Sequence, residues 1–170
     1  YGRALPAGYI EEVSPEVAAD DVEHLDALTG LEDLRLSLYR SRRADGSIRF
    51  KFYRQRDDIP LSDALPMMEN MGLRVISEHP YRVDAADGIS FIQDFEVEPL
   101  QGRLDIDAVD ENFEDAFARI WRGEAENDGF NRLVLSAGLS WKQVAMLRAY
   151  CNYLLQIGVP FSQAYMEATL

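Results

Sequence analysis

The chain has 170 residues, a hydrophobic fraction of 47% and a formal net charge of −13 at pH 7. This length suffices for a sizeable core, so we expect one domain or one domain with an appendage. The charge argues against binding to nucleic acid or anionic membranes, because both would repel a polyanion. The sequence shows neither an apolar run of about 20 residues that would span a bilayer nor a targeting leader, and its one cysteine, Cys151, excludes an internal disulfide. We therefore expect a soluble cytoplasmic protein.

The first 30 residues are predicted to form a lead-in and one helix. Residues 1–13 show no clear period and are predicted to be irregular. Ser14 and Pro15 form a typical helix start, with serine as the N-cap and proline at the first helical position. Gly30 is a natural stop for this helix. Three of its acidic residues are predicted to form a solvated face: Asp20, Asp21 and Glu23.

Two runs with a side-chain period of two follow, Leu34–Tyr39 and Ile48–Tyr53. This period predicts two half-buried strands. Asp45 and Gly46 between them tolerate positive φ, which a hairpin turn requires. The arginines at the ends of this hairpin could bind an anionic ligand or an acidic partner, but the pattern favours a solvated hairpin tip. They are Arg40, Arg42, Arg43, Arg54 and Arg56.

A second helix and two further strands are predicted after the hairpin. Ser62 is predicted to cap a helix over residues 63–71. Two extended pieces, Leu73–Ile76 and Tyr81–Val83, are predicted to form a third strand that Pro80 interrupts. Residues 89–97 are predicted to form the fourth strand.

A strongly amphipathic helix is predicted between Ile106 and Ile120, because its large apolar residues recur at helical spacing. The element order over residues 31–123 is therefore ββαββα, which is an α+β pattern. A ferredoxin-like unit that is cut ahead of its second strand and rejoined has this order. We expect a four-stranded antiparallel sheet with both helices on one face.

The predicted strand order in this sheet is third, fourth, second, first, and it is expected to make the second and fourth strands parallel neighbours. This order places Arg49 and Lys51 beside Asp94 and Glu96 on the open face of the sheet. Opposite charges on neighbouring strands support such pairing by roughly 0.2–1 kcal/mol per pair. Four large side chains on the same face suggest a docking surface: Tyr39, Tyr53, Ile76 and Ile92.

The remaining residues, 124–170, are predicted to be helical after a polar linker over residues 124–128. A short helix is expected over residues 130–137, a long one that Ser140 caps over residues 141–157, and another that opens at Ser162. One side of the long helix is predicted to be apolar: Val144, Leu147, Tyr150, Cys151, Leu154 and Leu155. The predicted organisation is thus 1–30, 31–123 and 124–170.

We find no predicted catalytic, cofactor-binding or metal site in the sequence. His24, His79 and Cys151 lie far apart and lack the close ligand pairs that zinc sites favour. Cys151 lies on an apolar helix stripe, which is typical of an inert core thiol. The carboxylates of the helix after Ile106 are expected to be solvated, and one glycine at position 138 does not make a phosphate loop.

Two long stretches resemble the large NAD-specific glutamate dehydrogenases of bacteria. The first is Leu61–Val75 with Glu78–Tyr81, and the second is Arg132–Trp141, which continues into Leu147–Tyr150 and Pro160–Tyr165. The resemblance implies that this chain is the last ACT-like domain of such an enzyme, with the helices that lead into its catalytic region. It implies a parent that converts L-glutamate to 2-oxoglutarate and ammonia with NAD, but no catalytic or NAD-binding residue is carried over to this chain.

The resemblance also implies partners and one candidate ligand loop. ACT domains often bind amino acids near a loop between a strand and a helix, and the equivalent loop here contains Gln101, Gly102 and Arg103. Gly102 would let a ligand approach the backbone closely, but the favoured interpretation is that it only turns the chain into its helix. We expect the partners to be the rest of the subunit, homo-oligomer partners and an amino-acid effector. An interaction module unrelated to the enzyme is the alternative.

Overall fold

A computed structural model describes residues 1–31, 33–41, 46–86 and 88–169. The chain forms two compact units, which we describe separately. The first comprises Tyr1–Leu61 and Ile76–Val97, and the second comprises Ser62–Val75 and Glu98–Leu170. The predicted organisation into residues 1–30, 31–123 and 124–170 stays a prediction.

Four strands form one sheet, and this confirms the predicted α+β fold and the strand order. The strands are β1 (Arg35–Arg40), β2 (Ile48–Gln55), β3 (Leu73–Ala85) and β4 (Gly88–Pro99). Their order in the sheet is β1-β2-β4-β3. β1 pairs with β2 as an antiparallel hairpin, as the sequence predicted.

The expected parallel pairing of the second and fourth strands is wrong. β2 and β4 are antiparallel, with Ile48 opposite Val97 and Gln55 opposite Ser90. The reason is topological. A crossover through a helix returns β3 in the direction of β2, and the short turn after β3 then reverses the chain. β4 lies between these two strands, so it runs against both of them.

β3 is one continuous strand, and the predicted interruption at Pro80 is wrong. β3 is an edge strand of the sheet, so a proline without a backbone N–H can be accommodated there without the loss of a ladder bond. Its side chains alternate around the proline, with Tyr81 and Val83 buried and Arg82 and Asp84 exposed. The edge position therefore lets one strand replace the two predicted pieces.

Two helices precede the sheet in the first unit, α1 (Ala7–Glu12) and α2 (Pro15–Asp26). The prediction that residues 1–13 are irregular is wrong. A helix as short as α1 has too few turns to show a period, and tertiary contacts of the buried Tyr9 stabilise it. The start of α2 is confirmed, because the Ser14 side chain accepts a hydrogen bond from the Val17 backbone N–H at 3.5 Å.

One face of the sheet packs against these two helices. The Tyr9 ring lies edge-to-face against the Tyr81 ring, with 5.1 Å between the ring centroids. The expectation that Tyr53 and Ile92 are exposed is wrong, because their exposed fractions are 1% and 0%, whereas Ile76 is 49% exposed. The buried cluster comprises Tyr9, Leu25, Leu28, Tyr53, Tyr81, Val83 and Ile92.

The second unit contains most of the remaining helices. The elements are α3 (Leu61–Asn70), α4 (Ile106–Trp121), a 3-10 helix (Gly129–Arg132), α5 (Leu133–Ala137), α6 (Trp141–Gln156) and α7 (Gln163–Thr169). The predicted apolar stripe of α4 is buried from Ile106 to Ile120. The predicted cap at Ser62 is wrong, because α3 begins one residue earlier and Ser62 lies in its first turn.

The helix α6 begins as predicted but does not bury its predicted apolar side as one surface. Ser140 and Gln143 form a reciprocal capping box at its start. Val144 and Cys151 are buried, whereas Tyr150 is 62% exposed. Because α6 has apolar residues on both sides, the sequence pattern could not show which side of the helix faces the core.

Candidate functional site

A buried carboxylate, Asp21, lies at the centre of a polar network in the first unit. Asp21 is 1% exposed, so the prediction that it is part of a solvated face is wrong. Its Oδ2 accepts hydrogen bonds from the Tyr9 hydroxyl at 2.5 Å and from Lys51 Nζ at 2.6 Å. Its Oδ1 accepts a third from the Tyr53 hydroxyl at 2.7 Å. These contacts join α1, α2 and β2 through one side chain.

The cations of β2 are paired with the acidic residues of β4, as the sequence predicted. Arg49 lies opposite Glu96, and Lys51 lies opposite Asp94. The guanidinium of Arg49 contacts Asp94 through two nitrogens, Nε and Nη2, each at 2.9 Å. Lys51 Nζ lies 3.8 Å from Asp94 and is fully buried. Bidentate pairing of this kind fixes the relative position of the two strands.

Burial and the charge of Asp21 shift the pKa of the surrounding groups. Burial raises the pKa of Tyr9 well above its ordinary range, and the hydrogen bond to Asp21 raises it further. Burial, followed by the Asp21 charge, likewise raises the pKa of Tyr53. Burial alone would lower the pKa of Arg49, but its contacts with Asp94 outweigh that effect and raise it. Both tyrosines are therefore neutral and the arginine is charged at neutral pH.

A cavity of about 570 Å³ lies beside this network. Its volume falls in the range of pockets that hold small ligands. The lining carries both signs of charge, together with hydroxyl groups and the two valines of the α1–α2 junction. The lining residues are Glu12, Val13, Ser14, Glu16, Val17, Tyr39, Ser41, Ser47, Arg49, Lys51, His79, Tyr81 and Asp94. All of them belong to the first unit.

Glu12 connects two other lining residues of this cavity. Its Oε2 accepts a hydrogen bond from the Tyr81 hydroxyl at 2.5 Å and lies 3.4 Å from His79 Nδ1. Burial raises the pKa of Tyr81, and the hydrogen bond to Glu12 adds to the effect. Arg49 also lines the cavity, and its Nη1 lies 3.6 Å from Glu96, which is beyond hydrogen-bond distance. The cavity lining thus contains both acidic and basic side chains.

The predicted ligand loop lies in the second unit and does not contribute to this cavity. Gln101, Gly102 and Arg103 are all exposed. Gly102 has a φ of +69°, a conformation that turns often require and that glycine adopts without steric cost. Ligand binding by this loop stays a prediction.

The described arginines of the predicted hairpin concentration lie at both ends of the hairpin, and ligand binding by them stays a prediction. Arg40 is exposed and donates to the Gly46 carbonyl at 3.0 Å. Arg54 is half-buried and Arg56 is exposed at the other end of β2. Arg42, Arg43 and the turn residue Asp45 lie outside the described residues.

The histidines and the cysteine occupy separate environments. The His24 ring stacks on the Tyr53 ring, with 4.6 Å between centroids, and burial lowers the pKa of His24. Cys151 is buried in α6. Within the described ranges, no group of three or more potential metal-ligating side chains was found. No helix in the described part of the chain combines the length and apolar character that crossing a membrane requires.

The second unit has its own buried cation, Arg148 of α6, which is 5% exposed. Its Nε and Nη2 contact the two carboxylate oxygens of Asp128 at 2.5 and 2.8 Å. Nη2 also donates to Asn131 Oδ1 at 2.8 Å, and Nε lies 2.9 Å from Glu126. Asp128 in addition caps the 3-10 helix by accepting from the Phe130 N–H. This cluster joins α6 to the segment before α5.

Sequence reasoning missed the central position of Asp21, although the helical spacing contained a signal. Asp21 lies four residues after Val17 and four before Leu25, which puts it on the apolar side of α2. The position of Lys51 between two phenylalanines of a strand was a second indication of a buried polar network. The pairing of the two across 30 residues could not be read from either pattern alone.

Three family models match the chain in succession. The first, glutamate dehydrogenase helical motif 2, matches residues 1–28. The glutamate dehydrogenase ACT3 domain matches residues 33–109. Glutamate dehydrogenase helical motif 3 matches residues 125–170. Together the three matches cover most of the chain.

Curated relatives agree with these matches. The chain is 47% identical over 169 residues to an NAD-specific glutamate dehydrogenase of Halomonas elongata. The matched stretch covers 98% of this chain and 10% of that protein. It is 40% identical to the NAD-specific glutamate dehydrogenase of Pseudomonas aeruginosa and 34% identical to that of Mycobacterium tuberculosis, and it covers 11% of each. The chain thus spans about a tenth of the length of the curated relatives that it matches.

Proposed function

We propose, from the premise that this chain belongs to the NAD-specific glutamate dehydrogenase family, that it is a non-catalytic regulatory and assembly segment of such an enzyme. The parent enzyme would oxidise L-glutamate with NAD and water to 2-oxoglutarate, ammonia and NADH. The catalytic and NAD-binding residues would lie in other parts of the subunit. The partners of this segment would be the rest of the subunit and further copies of it.

The observation that carries the proposal is the internal neutralisation of the polar groups on the sheet. Asp21 and Asp94 lie within 4 Å of Lys51, and Asp94 also pairs with Arg49. A general acid or base works best with a pKa near the operating pH. The pKa values of Tyr9 and Tyr53 are instead raised away from neutrality, first by burial. Such a network suits the positioning of helices on a sheet better than proton transfer.

The test removes the two hydroxyls while keeping the shape of the side chains. In the full-length enzyme, Tyr9→Phe and Tyr53→Phe should change kcat for glutamate oxidation by less than about twofold, because general acid–base groups contribute about 100-fold or more. Thermal denaturation should show a lower midpoint, since Asp21 loses hydrogen-bond donors. A loss of kcat of about 100-fold in a folded, correctly assembled variant would contradict a non-catalytic role.

Amino-acid sensing is a second candidate function, and the cavity beside Arg49 favours it. A zwitterion requires a cation for its carboxylate and a carboxylate for its ammonium group. The cavity lining includes both kinds of group, the Arg49 guanidinium and the carboxylates of Glu12 and Glu16. A ligand in this cavity would lie on the sheet face that packs against α1 and α2. A ligand at Gln101–Arg103 would instead contact the loop before α4.

Calorimetric titration of the full-length protein with a panel of amino acids separates these functions. A bound amino acid that is lost with Arg49→Gln and kept with Arg103→Gln would place the site in the cavity. The reverse pattern would place the site in the loop. No binding across the panel other than that of the substrate glutamate would favour a segment that serves assembly alone. An unrelated exposed arginine, Arg82, provides the control variant Arg82→Gln, which should bind like the wild type.

A further inference from the structure

The outward side of α6 carries an unusually apolar stripe, which we call the α6 stripe. Its residues are Met146 (53% exposed), Tyr150 (62%), Tyr153 (58%), Leu154 (38%) and Ile157 (58%). They recur at i, i+4, i+7, i+8 and i+11, so they lie along one side of the helix and its C-terminal end. The buried Val144 and Cys151 lie on the opposite side. The helix α6 therefore has two apolar sides.

This pattern is unlike that of a helix whose outer side faces water. A surface helix normally combines one apolar side with a charged or polar side. In α6 the charged residues are Lys142 and Arg148, and Arg148 is buried. No acidic residue occurs in α6, although the chain has 30 aspartates and glutamates. Contiguous apolar surface of this kind marks an interaction site.

The exposed apolar side chains continue beyond α6. Phe161 and Tyr165 are 49% and 53% exposed, and their rings stack with 5.0 Å between centroids. Tyrosine and methionine are enriched at the buried centres of interfaces, where charged residues are depleted. Tyrosine hydroxyls can remain hydrogen-bonded at the rim while the rings are buried. The composition of the α6 stripe thus matches an interface core.

We propose that the α6 stripe is the docking site for an amphipathic helix from another part of the same polypeptide. This inference rests on the proposed function. The occupant is a helix, because a row with spacing near four residues forms a ridge that packs into the groove of a second helix. The occupant belongs to the same polypeptide, because the relatives are about ten times longer than this chain and supply most of the protein mass around it.

Cysteine labelling in the full-length enzyme tests the burial of the α6 stripe. Tyr153→Cys should react with a maleimide at least about tenfold more slowly in the native enzyme than in denaturant, since packing protects a site until it opens. The matched control is Asn152→Cys, the adjacent exposed position outside the α6 stripe, which should react rapidly in both conditions. Equal native rates for Tyr153→Cys and Asn152→Cys would overturn the proposal.

A photo-crosslinker attached to the Tyr153→Cys thiol identifies the occupant. A product with the mass of one subunit, crosslinked to a helical peptide outside these 170 residues, is the expected result. A product with the mass of two subunits would overturn the proposal and assign the stripe to a second copy. Glutamate oxidation by the Tyr9→Phe and Tyr53→Phe variants does not depend on this crosslink, so the two proposals can fail separately.

Discussion

Among the described residues, each compact unit has one fully buried cation, and the two cations are neutralised in different ways. Lys51 and its partner Asp21 have side-chain exposures of 1% and 2%, so neither ion can recover water if the other is removed. Arg148 is 6% exposed in its side chain, whereas its partners Asp128 and Glu126 are 18% and 68% exposed. The first pair is therefore closed to solvent and the second is partly open. The cost of breaking a buried pair depends on this difference.

The largest expected effect comes from Asp21→Ala. It leaves the Lys51 ammonium and the hydroxyls of Tyr9 and Tyr53 buried without their shared acceptor. Removal of one member of a buried pair typically costs about 3–5 kcal/mol. We expect a decrease of this size in the free energy of unfolding, measured by urea denaturation. The matched control is Asp20→Ala, an exposed neighbour, which should stay within about 0.5 kcal/mol of the wild type.

A double variant sharpens the interpretation of this loss. Asp21→Leu combined with Lys51→Met removes both charges, so the unpaired buried ion disappears. The double variant should be more stable than Asp21→Ala by about 1 kcal/mol or more. An equally unstable double variant would mean that the tyrosine hydrogen bonds, rather than the ion pair, dominate the network.

Arg148→Met should have the next largest effect. It removes two hydrogen bonds to Asp128 and one to Asn131, but Asp128 is open enough to bind water. We expect a loss of about 1.5–3 kcal/mol in the free energy of unfolding, which is the range for hydrogen bonds to charged groups. Lys142→Met, in the exposed first turn of the same helix, is the control and should have little effect. A loss as large as that of Asp21→Ala would break the distinction between closed and open pairs.

A smaller effect should appear in the pH dependence of the free energy of unfolding, through His24 of the first unit. Burial lowers the pKa of His24 in the folded state from its ordinary value of 6.5. Protonation therefore favours the unfolded state, and the free energy of unfolding should decrease as pH falls below about 6.5. His24→Phe keeps an aromatic ring against Tyr53 and should flatten this part of the stability profile, measured by denaturation at several pH values. An unchanged slope in the variant would assign the dependence to other groups.

The smallest effect is expected for an ion pair that is open to solvent on both sides. Arg74 and Glu98 lie 2.7 Å apart, but their side chains are 65% and 54% exposed. Exposed pairs contribute about 0–1 kcal/mol, because water screens the charges and ordering the side chains costs entropy. Arg74→Ala should therefore shift the free energy of unfolding by less than about 1 kcal/mol. A larger shift would show that distance alone, rather than burial, sets the strength of these pairs.

The sequence predicted most of the sheet but less of the polar network. Alternation in the hairpin strands and the charge match of Arg49 and Lys51 with β4 were sufficient for the strand order. The direction of β4 was predicted wrongly, although the predicted helix before the third strand and the short turn after it already require β4 to run against β2. Asp21 was assigned to the surface, because a carboxylate is rarely buried without partners and those partners lie on other elements.

The sequence by itself determined only part of the local structure of this protein. The caps at Ser14 and Ser140 and the long amphipathic stripe of α4 depend on interactions within a few residues, so they could be read directly. Only the tertiary structure decided the orientation of α6, because both its sides are apolar, and the covering of the sheet by α1 and α2. Those features depend on contacts between residues that are distant in sequence, such as Asp21 with Lys51. A residue pattern records which side chains can be buried, but the packing of whole elements decides which of them are.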